Sequence, residues 1–245
     1  MVGGASRGLG AAIAEAAAGE GARIAAVARE SDALAAVAER IGGRAIPADL
    51  TTADGPVDAA RRAIEALGGL DGLVVNSGGP PTGSFATLDE AAWERAISGT
   101  LLAALRVIRT ALPALREGRD PAILIVLSSS VREPVANLVT SNVLRPGLNG
   151  LIKSLVGEIA PIRINGIAPG RIDTERVRSL DRARSEESGQ SIEQVQAQNL
   201  ARIPLGRYGQ PAELGRVGAF LLSPAASYVN GTVVAVDGGM IRSLP

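Results

Sequence analysis

The sequence predicts an α/β fold in which a doubly wound parallel sheet is covered by helices on both faces. Short apolar runs alternate with amphipathic stretches almost from end to end, as expected for parallel strands joined by helical crossovers. The apolar runs are continuous, as in ILIVLSS, which is typical of strands buried on both faces. The chain has 245 residues, of which 46% are hydrophobic, and this is enough for one domain spanning residues 1–245.

Six strands and five helices follow from these patterns. The predicted strands cover residues 23–28, 45–48, 72–76, 122–128, 162–168 and 232–236. The predicted helices carry Leu, Ile, Val and Ala at helical spacing and cover residues 8–19, 30–41, 55–67, 89–115 and 144–159. A charged insertion at 170–210 breaks this rhythm, and such insertions inside a compact domain are usually lids or binding loops. We therefore predict a substrate lid at about 171–208.

Composition excludes several classes of function. The chain has 25 basic and 25 acidic residues, so no excess of charge favours nucleic acid or an anionic membrane surface. It has neither cysteine nor histidine, and the absence of cysteine removes disulfides and thiolate chemistry. No apolar run approaches the roughly 20 residues that cross a bilayer. We expect a cytoplasmic protein with a small-molecule substrate, no metal site, and neither nucleic acid nor a membrane as its partner.

The chain opens with a glycine-rich turn, MVGGASRGLGAAIAEAAAGEGARIAAVARE. Gly4, Gly8 and Gly10 lack Cβ atoms, so the backbone can turn tightly, and the following helix offers unpaired N–H groups to a pyrophosphate. An acidic residue after the next strand would take the ribose hydroxyls, whereas an arginine accommodates a 2′-phosphate. Arg29 stands at that place and Arg7 lies in the turn, so NADP(H) is favoured over NAD(H). The alternative is an ordinary tight turn beside a solvated Arg29.

The turn and four further motifs resemble the short-chain dehydrogenase/reductase family. The turn is similar to the family's TGxxxGxG, ADL at 48–50 to its Asp-Val/Leu pair, and NSGG at 76–79 to its NNAG. RINGIAPGRIDT at 163–174 is similar to its RVNxIxPGxIxT, and VDGGM at 236–240 to its closing strand. The resemblance covers nearly the whole chain. It implies a Rossmann-type sheet, a nicotinamide cofactor and a homotetramer.

The resemblance also implies which residues contact the cofactor. They belong to the glycine-rich turn, to the ends of four strands, and to the helix that carries the family's Tyr-x-x-x-Lys. The implied residues are Gly4, Ser6, Arg7, Gly8, Leu9, Gly10, Arg29, Asp49, Leu50, Asn76, Ser77, Gly78, Arg145, Pro169, Gly170, Ile172 and Thr174.

The chain departs from the family at its catalytic residues. The family has a Tyr-x-x-x-Lys helix, a serine after the preceding strand and an asparagine on an earlier helix. Matching GLIKSLVGE and RVIRTALP to the family puts Ser141 at the tyrosine position, Arg145 at the lysine position and Thr100 at the asparagine position. The serine is one of residues 128–130, and Ser130 is favoured because a small apolar residue follows it. A hydroxyl that only satisfies its own backbone is the alternative.

These substitutions change what the site can do chemically. A serine hydroxyl donates a hydrogen bond but does not titrate near neutral pH, and an arginine stays charged and cannot relay a proton. Arginine can still hold a ribose diol and stabilise a developing alkoxide. We expect Ser130 and Ser141 to bind the substrate oxygen, Arg145 to hold the nicotinamide ribose, and a water to supply the proton. EPVANLVTSNVLR with SGGPPTGSF resembles a divergent, 3-oxoacyl-acyl-carrier-protein reductase-like branch that carries Ser-Asn-x-x-Arg.

Other groups are candidates for proton donation or substrate binding. Tyr208 could reach the site from the lid or could simply pack, and Glu133 could act as an acid if burial raised its pKa. The arginine-rich stretch at 175–184 could meet a phosphopantetheine or CoA phosphate, or could form a solvated amphipathic face.

Two hypotheses of different class stay open. The first is an NADP(H)-dependent oxidoreductase acting on a carbonyl or alcohol, with a 3-oxoacyl thioester as one candidate substrate. The second is a nucleotide-binding protein without catalysis, serving as a sensor or as a subunit of an assembly. The cofactor motifs fit both hypotheses, whereas the loss of Tyr, Lys and Asn favours the second.

The last predictions concern the oligomeric state and the first strand of the sheet. The helices at 89–115 and 144–159 carry more apolar and small residues than one sheet-facing stripe needs, and the chain ends on MIRSLP, which is suited to burial; both favour a homotetramer. Only Met1 and Val2 precede the turn, too few for a strand of five or six residues. The first strand is therefore expected to be missing from this sequence, which would leave an empty slot between strands 23–28 and 72–76. We expect about eight further residues upstream, forming a strand that ends at Val2.

Overall fold

Seven parallel strands form one sheet in the computed structural model, which describes residues 1–243. The last two residues of MIRSLP, Leu244 and Pro245, lie outside the described residues. The spatial order is β3-β2-β1-β4-β5-β6-β7, so the direction of winding reverses between β1 and β4. This confirms the predicted doubly wound fold. The strands are β1 (Val2–Gly3), β2 (Ala25–Ala28), β3 (Arg44–Pro47), β4 (Gly72–Val75), β5 (Ala122–Val126), β6 (Arg163–Pro169) and β7 (Val233–Val236).

Helices connect the strands and form the outer layers. A π-helical turn, Ile97–Leu102, joins α4 to α5, so the predicted helix at 89–115 is three consecutive segments. The insertion at 170–210 contains α7 and α8. The helices are α1 (Gly8–Gly19), α2 (Asp32–Arg40), α3 (Gly55–Leu67), α4 (Glu90–Ala96), α5 (Ala103–Arg116), α6 (Val139–Glu158), α7 (Glu175–Ser188), α8 (Ile192–Leu200) and α9 (Pro211–Leu222).

The sheet separates two apolar cores. Successive residues of a strand point to opposite faces, and in β5 this sends Ile123 and Ile125 toward α3, α5 and α6. Leu124 and Val126 point the other way, toward α1, α2 and α9. All four are 0–1% exposed, and each such side chain contributes roughly 1.5–3 kcal/mol when buried. Burial on both faces explains why the strands have continuous apolar sequences.

The prediction that the first strand is missing is wrong, because a short strand fills the slot between β2 and β4. Val2 and Gly3 occupy it as β1, where Val2 pairs with Ala26 of β2 and Val74 of β4. The main-chain nitrogen of Met1 donates to the carbonyl oxygen of Gly72 at 2.9 Å. Two residues therefore bridge the carboxyl ends of both neighbours, where the glycine-rich turn begins.

Helix α6 begins five residues earlier than the predicted 144. Hydroxyl and amide side chains weaken a helix because they compete for backbone hydrogen bonds, and three of them fall in the first turn. Each has a tertiary partner here: Thr140 donates to the Pro81 carbonyl at 2.8 Å, Ser141 contacts Ser130, and Asn142 pairs with the backbone of Val135. These tertiary contacts extend the helix, so Ser141 lies on it and not in a loop.

One helical stretch, Glu90–Arg116, is long and apolar enough to cross a bilayer by length and composition alone. Its most apolar window has a mean hydropathy of 1.2, and 44% of that window is buried inside the fold. Val107, Ile108 and Leu115 of α5 lie in the core beneath the sheet. Packing over the sheet accounts for the apolar composition of this helix.

Candidate active site

The predicted site residues gather at the carboxyl ends of the parallel strands. The glycine-rich turn follows β1, Asn76 follows β4, Ser128 lies two residues after β5, and Gly170 follows β6. In doubly wound sheets, ligands bind at this edge beside the point where strand order reverses. That point lies between β1 and β4 here, so the topology forms a cleft at the turn.

The turn needs its glycines for close packing. Gly4 and Gly8 have φ of 60°, a left-handed conformation that glycine adopts without strain. A Cβ on Gly10 would lie 2.3 Å from the Gly4 carbonyl oxygen, so only glycine lets α1 approach the turn. The Asn76 side chain donates from Nδ2 to the Gly3 carbonyl at 3.1 Å. This bond fastens the turn to the end of β4.

The start of α1 is open for an anion. Arg7 is the N-cap residue with extended backbone, and within the described chain no side chain caps the first N–H groups of α1. The first turn contains no acidic residue. Ser6 and Leu9 flank it, both half-buried. Free N–H groups and the positive end of the helix dipole bind phosphate groups, so this end of the helix fits a pyrophosphate.

Arg29 and Asp49 lie side by side beyond that turn. Arg29 is exposed directly after β2. Asp49 accepts hydrogen bonds from the main-chain N–H of Thr51 at 2.9 Å and from its hydroxyl at 2.7 Å. These bonds hold the pKa of Asp49 below its usual range, and the Arg29 charge adds a smaller lowering. The structure thus brings one cation and one anion to the end of the cleft beyond β2 and β3.

Thr100 lines a small cavity beside the turn. The cavity has a volume of about 20 Å³, and Leu50, Asn76 and Ser77 line it together with Thr100, which is 3% exposed. Such a volume holds about one water. The π-helical turn that carries Thr100 packs against α6. Single π-turns inside α-helices often mark functional sites.

Ser130 and Ser141 form a buried pair of hydroxyls. Their Oγ atoms are 3.0 Å apart, and the Ser130 hydroxyl is also 3.3 Å from the Ser141 carbonyl oxygen. They are 4% and 5% exposed. The Ser128 hydroxyl instead accepts from the main-chain N–H of Ser130 at 3.1 Å, which is the backbone-satisfying role. Of the three adjacent serines, Ser130 faces the helix that carries Ser141.

Arg145 lies one helical turn after Ser141 and is 7% exposed. Its Nη1 donates to the carbonyl oxygen of Val126, the last residue of β5. Its Nε is buried without a partner in the described chain. Burial, and then the charge of Arg176, lower the pKa of Arg145 to about 10. A buried cation with an unused donor costs stability unless a ligand satisfies it, so this guanidinium fits the hydroxyls of a ribose.

The remaining predicted cofactor residues lie at or after the end of β6, except Gly78, which follows β4. Thr174 caps α7 by accepting from the Val177 N–H at 3.4 Å, and a Cβ on Gly8 would lie 3.6 Å from its Cγ2. Gly170 lies against Asp237, because a Cβ there would lie 2.5 Å from the Asp237 Cβ. Ile172 differs from the others, since its side chain is in the apolar core. Pro169 is half-buried and Gly78 exposed.

Tyr208 belongs to a structural network and not to the serine pair. Its hydroxyl donates to Asp181 at 2.8 Å and accepts from Asn199 at 3.1 Å. Asp181 is 1% exposed and also forms an ion pair with Arg171. Burial, and then the hydrogen bond to Asp181, raise the pKa of Tyr208, so it is a weaker acid than a free tyrosine. Of the two roles considered for Tyr208 from the sequence, the geometry supports packing.

The geometry also decides between the alternatives for Glu133 and for the arginine-rich stretch at 175–184. The carboxylate of Glu133 makes no hydrogen bond to either serine within residues 1–243. In α7, Arg178 pairs with Asp173 at 2.8 Å and Arg182 with Glu175 at 2.5 Å, which is a solvated amphipathic face. Arg176 points elsewhere, toward the Pro80 carbonyl.

The sequence analysis gave Asn142 no role, and it considered Arg176 only as part of the arginine-rich stretch at 175–184. Asn142 clamps the loop after Ser130, because its side chain accepts from the Val135 N–H at 3.0 Å and donates to the Val135 carbonyl at 2.9 Å. The sequence feature that could have indicated this role of Asn142 is its position next to Ser141 in Ser-Asn-x-x-Arg. No group of three or more Asp or Glu side chains suited to a metal occurs among residues 1–243.

The fold and the cleft define a Rossmann-type α/β protein of the kind that binds dinucleotides. Residues 4–241 match the family described as enoyl-(acyl carrier protein) reductase. The chain belongs to this family of short-chain dehydrogenases/reductases, within the branch that resembles 3-oxoacyl-acyl-carrier-protein reductases. It is 32% identical over 243 residues to the 3-oxoacyl-[acyl-carrier-protein] reductase MabA of Mycobacterium bovis, covering 98% of this chain and 91% of MabA.

Two solved structures agree with this assignment. L-sorbose reductase from Gluconobacter frateurii, in complex with NADPH and L-sorbose, superposes with a TM-score of 0.89 at 29% identity and covers 99% and 96% of the two chains. An NADPH-bound short-chain oxidoreductase from Pseudomonas aeruginosa PAO1, which contains an atypical catalytic centre, superposes with a TM-score of 0.87 at 30% identity. The match covers 99% of this chain and 96% of the Pseudomonas chain.

Proposed function

We propose that the protein is an NADP(H)-dependent oxidoreductase that interconverts a carbonyl compound and an alcohol. The observation that carries this proposal is the buried Arg145 guanidinium with an unused Nε, one helical turn from the buried Ser130–Ser141 pair. Perturbed, buried cations of this kind concentrate at functional sites. The 3-oxoacyl thioesters are the first substrates to test, because MabA is a relative.

The residues of the cleft fit the cofactor. We assign the pyrophosphate to the open N-terminus of α1, the 2′-phosphate to Arg7 and Arg29, and the nicotinamide ribose to Arg145. Arg7 and Arg29 are both exposed, and neither forms an ion pair in the described chain. Two free guanidinium groups at this end of the cleft favour a phosphate over a bare ribose. NADP(H) is therefore preferred to NAD(H).

The protein contributes binding, orientation and polarisation. An NADP(H) molecule held by the N-terminus of α1 and by Arg145 would supply hydride transfer between its nicotinamide and the carbonyl carbon of the substrate. The Ser130 and Ser141 hydroxyls donate hydrogen bonds to the substrate oxygen, and the Arg145 charge stabilises negative charge that develops on that oxygen. Neither serine titrates near neutral pH, so a water molecule delivers the proton to the alkoxide oxygen.

We also propose the cellular setting of this function. A cytoplasmic, single-domain protein that assembles as a homotetramer fits the balanced charge of the chain and its family. The lid is assigned to residues 171–208, which contain α7 and α8.

Oxidation of NADPH, followed by absorbance over a panel of ketones, short oxo acids and 3-oxoacyl thioesters, tests the proposal. Turnover should occur with NADPH and fall strongly in Ser141→Ala, which removes one donor to the substrate oxygen. Ser154→Ala, on the same helix, is the matched control and should retain activity, because its exposed hydroxyl bonds to the Gly150 carbonyl oxygen. The alternative of binding without catalysis is not supported by the relatives described above; NADPH binding with no turnover across the panel would establish it instead.

A further inference from the structure

A second guanidinium lies at the substrate end of the cleft. Arg176, in the first turn of α7, donates from Nη2 to the Pro80 carbonyl oxygen at 2.8 Å. A Cβ on Gly79 would lie 2.9 Å from its Cζ, so the group rests against the backbone of the loop after β4. The side chain is otherwise exposed. It is thus anchored at one nitrogen and open to a ligand at the others.

Arg176 differs from the neighbouring arginines of α7. Arg178 and Arg182 are held by carboxylates, and Arg184 donates to Gln198 at 3.0 Å. Among residues 1–243, no carboxylate lies within ion-pair distance of Arg176 or of Arg145. The chain has balanced charge and pairs its other α7 arginines with polar groups, yet it leaves these two cations uncompensated.

The two cations act on each other. Partial removal from water lowers the pKa of Arg176, and the Arg176 charge contributes to the lowered pKa of Arg145. Like charges that share a partly desolvated cleft destabilise one another. An anion between them would relieve that repulsion and would satisfy the free donors.

The Arg176 guanidinium is directed at the loop after β4. Thr174, the N-cap residue of α7, is the residue that contacts Gly8 in the glycine-rich turn. Arg176 is linked to the serine pair through the loop instead, because the Pro81 carbonyl accepts from Thr140 at 2.8 Å, the residue before Ser141. An anion bound by Arg176 would therefore lie close to the reacting oxygen.

We infer that Arg176 binds a carboxylate of the substrate, so that the substrate is a short oxo acid or the corresponding hydroxy acid. The inference rests on the proposed function for the reacting carbonyl. A carrier-bound thioester fits this site less well, since the phosphate of phosphopantetheine lies a long flexible arm away from the thioester carbonyl. A carboxylate a few bonds from the carbonyl meets Arg176 and the serine pair together, and guanidinium is well suited to bind it with two parallel hydrogen bonds.

Binding in the presence of saturating NADP⁺ tests this without turnover, because the oxidised cofactor cannot reduce an oxo acid. The probes are pyruvate and 4-oxopentanoate, each compared with its methyl ester by isothermal titration calorimetry. The acids should bind more tightly than the esters. Arg176→Gln should weaken binding of the acids roughly tenfold or more and leave ester binding and NADP⁺ binding unchanged. Arg176→Lys should retain part of the preference.

Arg178→Gln is the matched control, since it removes a neighbouring arginine that is already paired with Asp173. Equal binding of acids and esters by the unmodified protein would overturn the inference. So would equal effects of the two glutamine variants, or a loss of NADP⁺ affinity in Arg176→Gln, which would assign Arg176 to the cofactor. If the unmodified protein binds no NADPH, the proposed function fails on its own, and the same titrations without cofactor still decide whether Arg176 selects acids.

Discussion

Two buried arginines differ in how completely their guanidinium groups are hydrogen-bonded. Arg163 and Arg145 are both 7% exposed. The Arg163 guanidinium donates to the carbonyl oxygens of Leu221 at 2.8 Å and Ser223 at 3.0 Å, at the end of α9, where the helix dipole favours a cation. Arg145 has one carbonyl acceptor and an unused Nε. The contacts of Arg163 therefore stabilise the fold, whereas Arg145 keeps a donor that we assign to the proposed cofactor.

Arg145→Met should stabilise the protein without cofactor. The folded-state pKa of about 10 means that burial disfavours the cation, by about 3 kcal/mol when the lowering is converted to free energy. Loss of the bond to Val126 offsets roughly half of that, so the unfolding free energy should rise by about 1 kcal/mol. Thermal unfolding should show a Tm higher by a few degrees, with cofactor affinity reduced. A markedly lower Tm would assign Arg145 a structural role.

The Arg29→Asp variant should shift the cofactor preference from NADPH toward NADH. The arginine offers positive charge for a 2′-phosphate, whereas a carboxylate there repels the phosphate and accepts from the ribose hydroxyls. NADPH affinity should fall at least about tenfold and NADH affinity should rise. Fluorescence titration with each cofactor measures both. Identical titration curves for NADPH and NADH in the unmodified protein would contradict the assignment, and Arg44→Asp, at an exposed position of β3, is the control for a general effect of charge.

At the scale of elements, polar contacts hold the proposed lid, residues 171–208, together and join it to the loop before α6. Asp181 of α7 accepts from Asn199 of α8 at 3.0 Å and from Tyr208 at 2.8 Å. Asn137, in the loop before α6, donates to Glu187 at 2.7 Å. These bonds set the position of α7, and hence of Arg176, relative to the serine pair.

The Tyr208→Phe variant tests whether Tyr208 has a structural or a catalytic role. Removal of the hydroxyl leaves Asp181 with one donor fewer, and the unfolding free energy should fall by about 1 kcal/mol. Turnover should change by less than about tenfold, because removal of a true proton donor costs about a hundredfold or more. Thermal unfolding and steady-state kinetics measure the two effects. Loss of most activity with an unchanged Tm would make Tyr208 the proton donor and overturn the proposed role of water.

At the scale of the whole molecule, apolar side chains remain on the surface. Ile97, in the π-helical turn, is 37% exposed and Val143 of α6 is 54% exposed. Pro146, Gly147 and Gly150 of α6 are also exposed, so this helix presents small residues along its outer side. Close approach of a second helix would be possible there.

The proposed homotetramer predicts a definite mass in solution. Sedimentation at micromolar concentration should give a particle of four chains of 24.9 kDa each. Val143→Glu would place a charge on the outer side of α6 and should shift the distribution toward smaller species. A monomer at that concentration in the unmodified protein would show that the exposed apolar residues have another use.

Much of the fold was accessible from sequence because local patterns encode it directly. The strands at β2, β4, β5 and β6 were predicted within two residues at each end, and the helices at 8–19 and 55–67 match α1 and α3. Continuous apolar runs and helical spacing depend on burial, which every residue of an element shares. The π-helical turn and the early start of α6 were missed, because they depend on contacts with Thr51, Pro81 and Ser130 from other parts of the chain.

The sequence by itself determined the α/β class, the glycine-rich turn and the pairing of Ser141 with Arg145 one helical turn apart, since all three depend on residues that are near each other in the chain. Only the tertiary structure decided that Ser130 meets Ser141, that Tyr208 is occupied by Asp181, and that Arg176 stands apart from the solvated arginines of α7. The physical reason is that a hydroxyl or a guanidinium gains its role from its partners. Those partners are distant in sequence, and the sheet brings them together at one edge.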